Sequence, residues 1–152
     1  MSICEQIKKD ADDIWTYLKG RPRIFFPDAK DFSPQSLWTI ERFFEACSGK
    51  GVDKGGSPFD VIDHTQIQFQ LGAYIGEVVR RHYGDKCTWN CDEVFEDKLE
   101  LRLPDKKLPP LFPMRFIGEQ IRSYKQGSIV EWGSKAGLNV GKQPPRPQGG
   151  FR

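Results

Sequence analysis

Hydrophobic residues recur at helical spacing in three long stretches of the chain, which are residues 2–19, 33–47 and about 60–83. Ser2 is a candidate N-cap for the first stretch, and Ser33-Pro34 is a start signal for the second. The third stretch carries the broadest apolar stripe, which indicates a helix that packs on more than one side. The pattern therefore predicts three helices, of which the third is central.

The periodicity changes after the central helix. Residues 86–90 and 98–103 are predicted to be strands, because leucines at alternate positions of the second stretch give it one buried and one solvent-exposed face. Two shorter helices are predicted to follow, over about 113–125 and 128–136. The order of helices, then strands, then helices predicts an α+β fold. In that fold a small antiparallel sheet packs against the central helix, with additional flanking helices.

Length and composition indicate one domain with a tail. A chain of 152 residues is long enough for one domain with its own hydrophobic core, and we assign residues 1–137 to this domain. Residues 138–152 are rich in proline and glycine, poor in apolar side chains, and expected to be disordered. They hold three basic residues and no acid, which leaves 20 basic against 21 acidic residues in the body. A near-neutral body argues against nucleic-acid binding, which normally needs a basic stripe on the folded domain.

The predicted compartment is the cytoplasm, without membrane association. No apolar run approaches the roughly 20 residues that a membrane span needs, and the N-terminus lacks the apolar core of a signal peptide. Free thiols are therefore expected at all four cysteines, Cys4, Cys47, Cys87 and Cys91. His82, Cys87 and Cys91 resemble a partial zinc cluster. Their spacing is not C-x-x-C and a fourth ligand is missing, so we predict neither a metal nor another cofactor.

Five residues in and after the central helix form a structural motif. Gly72 and Gly76 lie one turn apart, and each costs about 1 kcal/mol relative to alanine inside a helix. We expect a strand or another helix to approach closely there, the alternative being a ligand or partner backbone. Glu77 is expected to pair with an arginine, because a shielded carboxylate needs a partner. Gly84 fits a left-handed helix cap, and Trp89 is expected to be a core or boundary aromatic.

Catalytic chemistry has weak support. An enzyme would use Glu77, His82 or a cysteine such as Cys87, with at least two of these side chains in one pocket and with shifted pKa values. His82 points to another part of the helix than Glu77, and no acyl-transfer signature surrounds Cys87. We therefore predict that the chain is not an enzyme, and a small enzyme using these residues in a cleft stays the alternative.

A succession of motifs carries a resemblance to known domains. The motifs are Ser33-Pro34-Gln35-Ser36-Leu37, Leu71-Gly72-Ala73-Tyr74-Ile75-Gly76-Glu77-Val78, Gly84, Trp89, the strand 99–103, Pro113, Arg122 and Gly127-Ser128. With them, residues 33–136 resemble a broad group of small bacterial α+β domains of unknown function that share a GxYxGEV helix. Such domains are similar to immunity proteins found beside polymorphic toxins. The resemblance implies this kind of fold and a role in toxin neutralisation, and it carries over no catalytic residue.

The predicted function is non-enzymatic protein binding, most concretely by an immunity protein that binds and neutralises a cognate toxin or secreted effector. An inhibitor needs an exposed patch with aromatic or arginine anchors. The predicted contact residues lie in a glycine-rich loop and in an acidic stretch: Lys54, Phe59, Asp92, Glu93, Glu96 and Asp97. The acidic stretch would suit a basic, nuclease-like toxin, and an ordinary solvated hairpin is its alternative.

The proline-rich tail supports one further alternative. Residues 144–147 have the P-x-x-P spacing of segments that dock as polyproline helices. An adaptor that works through this basic tail is therefore a second function from a different class.

Overall fold

A computed structural model describes residues 2–47, 64–91, 95 and 98–145 of the chain. Its helices and strands follow the predicted order, and the α+β fold with a small antiparallel sheet is confirmed. In the described part the elements are α1 (Ile3–Lys19), α2 (Leu37–Cys47), α3 (His64–Tyr83), β1 (Thr88–Asn90), β2 (Glu100–Arg102), α4 (Pro113–Arg122) and α5 (Ser128–Lys135).

The central helix α3 is buried on all sides over residues 71–79. Helices α1 and α4 pack on it, while α5 packs on α2. The two glycines of α3 permit this arrangement. A Cβ atom at Gly72 would lie 2.7 Å from the Cα atom of Met114 in α4, and one at Gly76 would overlap the ring of Trp89. The close approach predicted at these glycines is therefore made by a helix at one and by a tryptophan ring at the other.

Helix α1 begins and ends close to where the sequence predicts. The Ser2 hydroxyl accepts a hydrogen bond from the Glu5 amide at 3.1 Å, which makes Ser2 the N-cap. The buried face of α1 lies against α3 and consists of Ile7, Ala11, Ile14, Trp15 and Leu18. This face holds α1 in place by apolar burial.

The sheet is shorter than predicted. Strands β1 and β2 have three residues each and pair antiparallel, with Trp89 opposite Leu101. On its other side, Leu101 exchanges two backbone hydrogen bonds of 2.8 and 2.9 Å with Leu111. A two-stranded hairpin is marginal by itself, so this sheet depends on the contacts that fasten it to the helices.

The C-terminal segment returns to the core after α5. Leu138 and Val140 are buried, and they follow the boundary predicted at residue 137. The Trp38 indole donates a hydrogen bond to the Val140 carbonyl at 3.0 Å, and the Tyr83 hydroxyl donates one to the Ala136 carbonyl at 2.6 Å. Residues 146–152 of the predicted tail lie outside the described residues.

The expectation of four free thiols is wrong at two positions. Cys4, in the first turn of α1, forms a disulfide with Cys91, which follows β1; their Cα atoms are 5.8 Å apart. The two residues are 87 positions apart in sequence, and the fold places the first turn of α1 next to the residue that follows β1. Cys47 and Cys87 are free and buried, as expected of structural thiols.

Candidate functional site

Glu77 is a fully buried carboxylate with several charged or polar partners. Arg80 donates two hydrogen bonds to it, at 2.5 and 3.0 Å, and the Trp89 indole donates a third at 3.0 Å. Arg81 adds an ion pair at 3.8 Å. Burial by itself would raise the pKa of Glu77, but these hydrogen bonds and charges outweigh it and lower the pKa below 4.5. The predicted pairing with an arginine is present, and Glu77 also joins α3 to β1 through Trp89.

The residues of the alternative enzyme site have different surroundings. Glu77 and Cys87 are both buried near Arg80, whose charge acts on both of them. Burial raises the pKa of the Cys87 thiol to about 11, so the thiol is protonated at neutral pH. The His82 ring is exposed and packs edge-on against Tyr83 at 4.9 Å.

Glu41 is a second buried acid, which the sequence reasoning missed. It lies on α2 and accepts hydrogen bonds from the Ile129 and Val130 amides at 3.0 and 3.2 Å, as well as one from the Tyr124 hydroxyl. Burial raises its pKa, against the opposing effect of these hydrogen bonds. The N-cap residue of α5 is Gly127, which has no side chain to cap the helix, and the neighbouring Ser128 donates to Gln120. Glu41 therefore caps α5 from a different helix.

An open cleft lies on the outer face of the hairpin. We call it the hairpin cleft; its volume is about 450 Å³, and it is lined by Glu100, Arg102, Leu103, Lys106, Leu108 and Pro110. Leu108 is 45% exposed, which is high for a large apolar side chain. Arg102 and Lys106 are also exposed. The cleft therefore combines an apolar patch with two cations.

Polar contacts set the shape of this cleft. Glu100 accepts a hydrogen bond from the Asn90 side chain at 3.1 Å, and it pairs with Arg102 at 2.9 Å. The hydrogen bond from Asn90 lowers the pKa of Glu100 most, and the interaction with Arg102 lowers it further. A turn follows β2, in which the Asp105 side chain accepts a hydrogen bond from the Lys107 amide at 3.0 Å. The orientation of Arg102 thus depends on Glu100 and, through it, on β1.

A second groove, of about 240 Å³, lies between α1 and α3. It is lined by Asp13, Ile14, Tyr17, Gln66, Ile67 and Gln70. Tyr17 is 37% exposed, and the Arg21 guanidinium lies 4.4 Å from the centre of its ring. This groove is smaller than the hairpin cleft and carries no cluster of cations along its lining.

The six predicted contact residues, Lys54, Phe59, Asp92, Glu93, Glu96 and Asp97, all lie outside the described residues, so they stay predictions. Their described neighbour Phe95 is 61% exposed, and the Lys98 amine lies 5.4 Å from the centre of its ring. The structural motif is described in full: Gly76, Glu77 and Trp89 meet at one place, and Gly72 lies one turn earlier against Met114. Gly84 has the left-handed φ of 71° predicted for it.

The described residues contain no group of three or more histidine, cysteine, aspartate or glutamate residues placed to hold a metal ion. Within the same ranges, no helix combines the length and the apolar character that crossing a bilayer requires. Comparisons with protein-family models, curated proteins and solved structures found no match.

Proposed function

We propose that this chain is a non-enzymatic protein-binding domain, most concretely an immunity protein that neutralises a toxin or secreted effector. The state of the buried reactive groups supports binding over catalysis. Glu77 and Glu41 are engaged in joining parts of the fold. The Cys87 and Cys47 thiols have pKa values raised by burial to about 11 and about 12, so neither is a ready nucleophile at neutral pH.

The observation that carries the proposal is the hairpin cleft. Protein interfaces centre on apolar or aromatic anchors and favour arginine, with polar groups at the rim. Leu108 and Pro110 supply an apolar floor, while Arg102 and Lys106 supply charge beside it. The partner surface that fits the cleft has an aliphatic or aromatic side chain next to one or more carboxylates.

The acidic stretch adds a separate prediction about the same partner. Its four acids would face basic groups, whereas the hairpin cleft would face acidic ones. A partner that uses both would carry charges of both signs on one surface. The exposed Phe95, between these acids in sequence, is a second apolar anchor for such a surface.

Co-expression with the product of the adjacent gene tests the proposal. The wild-type chain is expected to restore growth to cells that express a toxic neighbour and to co-purify with it. Leu108→Asp should abolish both effects, because it puts a charge in the apolar floor. Tyr17→Asp is the matched control, since it changes an apolar residue of similar exposure outside the cleft, and it should behave like wild type.

Charge reversal provides the second arm. Lys106→Glu should weaken capture of the partner, and Lys8→Glu, the same charge reversal at an exposed lysine of α1, should not. The proposal is wrong if the wild-type chain neither rescues growth nor binds the neighbouring product. The assignment to the hairpin cleft is wrong if Leu108→Asp and Tyr17→Asp bind equally well.

A further inference from the structure

We infer that the Cys4–Cys91 disulfide is a redox-sensitive clamp on the hairpin, which keeps the hairpin cleft in its binding shape. Its effect on binding rests on the proposed function, whereas its effect on the hairpin does not. A dithiol reductant should loosen the hairpin and weaken partner binding while the helical core stays folded.

The cysteines differ in their access to exchange. Cys47 and Cys87 are buried, and burial raises the pKa of each thiol, so both exchange slowly. Cys4 and Cys91 are only half-buried, which leaves their disulfide within reach of a reductant. All four cysteines belong to the described residues, so in the native protein thiol–disulfide exchange should be faster at this pair than at Cys47 or Cys87.

A short chain of contacts connects the disulfide to the cleft. Cys91 directly follows Asn90, the last residue of β1. The Asn90 side chain donates to Glu100 at 3.1 Å, and Glu100 holds Arg102 at 2.9 Å on the lining of the cleft. Release of Cys91 removes a restraint next to Asn90, whose side chain supports Glu100 and, through it, Arg102.

Three attachments join the described part of the hairpin to the rest of the fold. With three residues in each strand the hairpin is too small to be stable alone. It is joined through Trp89 to Glu77, through Leu101 to Leu111, and through Cys91 to Cys4. The first two attachments lie at the middle of the strands, whereas the disulfide lies directly after the end of β1.

Helix α1 has its own support. Cys4 lies in its first turn, before the buried residues that pack on α3, which run from Ile7 to Leu18. Loss of the disulfide removes none of that apolar burial. The native core should therefore survive reduction even though the disulfide, once broken, no longer restrains the unfolded chain.

The redox step balances as an ordinary thiol–disulfide exchange. A thiolate of a dithiol, either dithiothreitol or a dithiol protein, attacks one sulfur of the pair and forms a mixed disulfide as the Cys4–Cys91 bond breaks. The second thiol of the reductant then attacks the mixed disulfide, and the reductant leaves as a cyclic or intramolecular disulfide. Two electrons and two protons pass to Cys4 and Cys91, which end as thiols.

Amide hydrogen exchange on the full chain, with and without dithiothreitol, tests the clamp. Labelling times of about a minute report local opening before the globally protected amides exchange. Exchange at residues 87–91 and 98–103 should be about tenfold faster in the reduced protein, because the end of β1 opens more often. Residues 71–79 of α3 should remain unexchanged in both forms. Cys4→Ser should behave like the reduced wild type in either buffer.

Binding to the adjacent gene product is measured on the same samples. Reduction and Cys4→Ser should each weaken it about tenfold, because an unfastened hairpin must be ordered on binding. Unchanged hairpin exchange, or α3 exchange that accelerates to the same extent, would overturn the clamp. Hairpin exchange that responds to dithiothreitol, with no binding by either form, would support the clamp and overturn the proposed function instead.

Discussion

Replacing Glu77 with glutamine tests whether this acid stabilises the fold by joining α3 to β1. The substitution keeps the shape of the side chain and removes its charge. The Trp89 indole and one Arg80 nitrogen can still donate to the remaining carbonyl oxygen, but the second hydrogen bond from Arg80 is lost, because the amide nitrogen of glutamine is a donor. The change therefore removes the buried negative charge together with one hydrogen-bond acceptor.

The expected loss of stability is about 3 kcal/mol. Breaking a buried ion pair on one side typically costs about 3–5 kcal/mol, because the other charge is left without compensation. Arg80 is 25% exposed and can recover part of its hydration, which favours the lower end of that range. Denaturant unfolding at pH 7, followed by tryptophan fluorescence, measures the difference. Glu131→Gln is the control: its ion pair with Lys135 is exposed, and its loss should not change stability measurably.

The same pair of proteins makes a pH prediction. The folded-state pKa of Glu77 is lowered below 4.5, so its contribution is fully present above pH 4.5 and is lost as the pH falls through the folded-state value. The difference in unfolding free energy between wild type and Glu77→Gln should therefore shrink as the pH falls through that value. If Glu77→Gln is as stable as wild type at pH 7, Glu77 does not stabilise the fold in this way. It would then be a candidate residue for the alternative in which the protein is an enzyme.

Three further predictions follow from buried groups. Gly72→Ala should destabilise the protein by about 1–3 kcal/mol in thermal or denaturant unfolding, because the new methyl group meets the Met114 backbone; a stabilised variant would show that the helices separate freely. Glu41 has a raised pKa, so its contribution to stability is lost as the pH rises through the folded value. Wild type should therefore lose stability relative to Glu41→Gln as the pH rises above about 4.5 in unfolding titrations, and the opposite trend would contradict this sign. Maleimide should label Cys47 and Cys87 only under denaturing conditions, as read by mass spectrometry, and rapid native labelling would show that they are reachable.

Local sequence patterns were sufficient for the helices and for the central motif. The starts of α1 and α4 follow from Ser2 and Pro113, since capping and proline act within one turn. Gly72 and Gly76 indicated close packing, because glycine is costly in a helix unless its missing side chain makes room. In each case the signal and the structure that it specifies lie within a few residues of each other.

The features that were missed depend on partners far away in the chain. Cys4 and Cys91 are 87 positions apart, and Glu41 and Ile129 are 88. Periodicity and capping rules do not reach across such distances. Glu41 resembled any polar residue on an amphipathic helix, and only the arrival of α5 beside α2 makes it a cap. The hairpin cleft has the same origin, because β2 and the turn after it assemble the cleft only when the hairpin is folded.

The distribution of rigid and marginal parts favours recognition at the hairpin. The nine consecutive buried residues of α3, with α1 and α4 packed on them, form a stiff scaffold that leaves little room for a pocket. The hairpin has only three residues in each strand, yet it is tied to that scaffold by a buried carboxylate, a backbone bridge and a disulfide. Such fastening stabilises an exposed apolar and cationic surface in one shape, which lowers the ordering cost of binding. The three attachments seen among the described residues therefore supply the rigidity that the proposed binding role of the hairpin cleft requires.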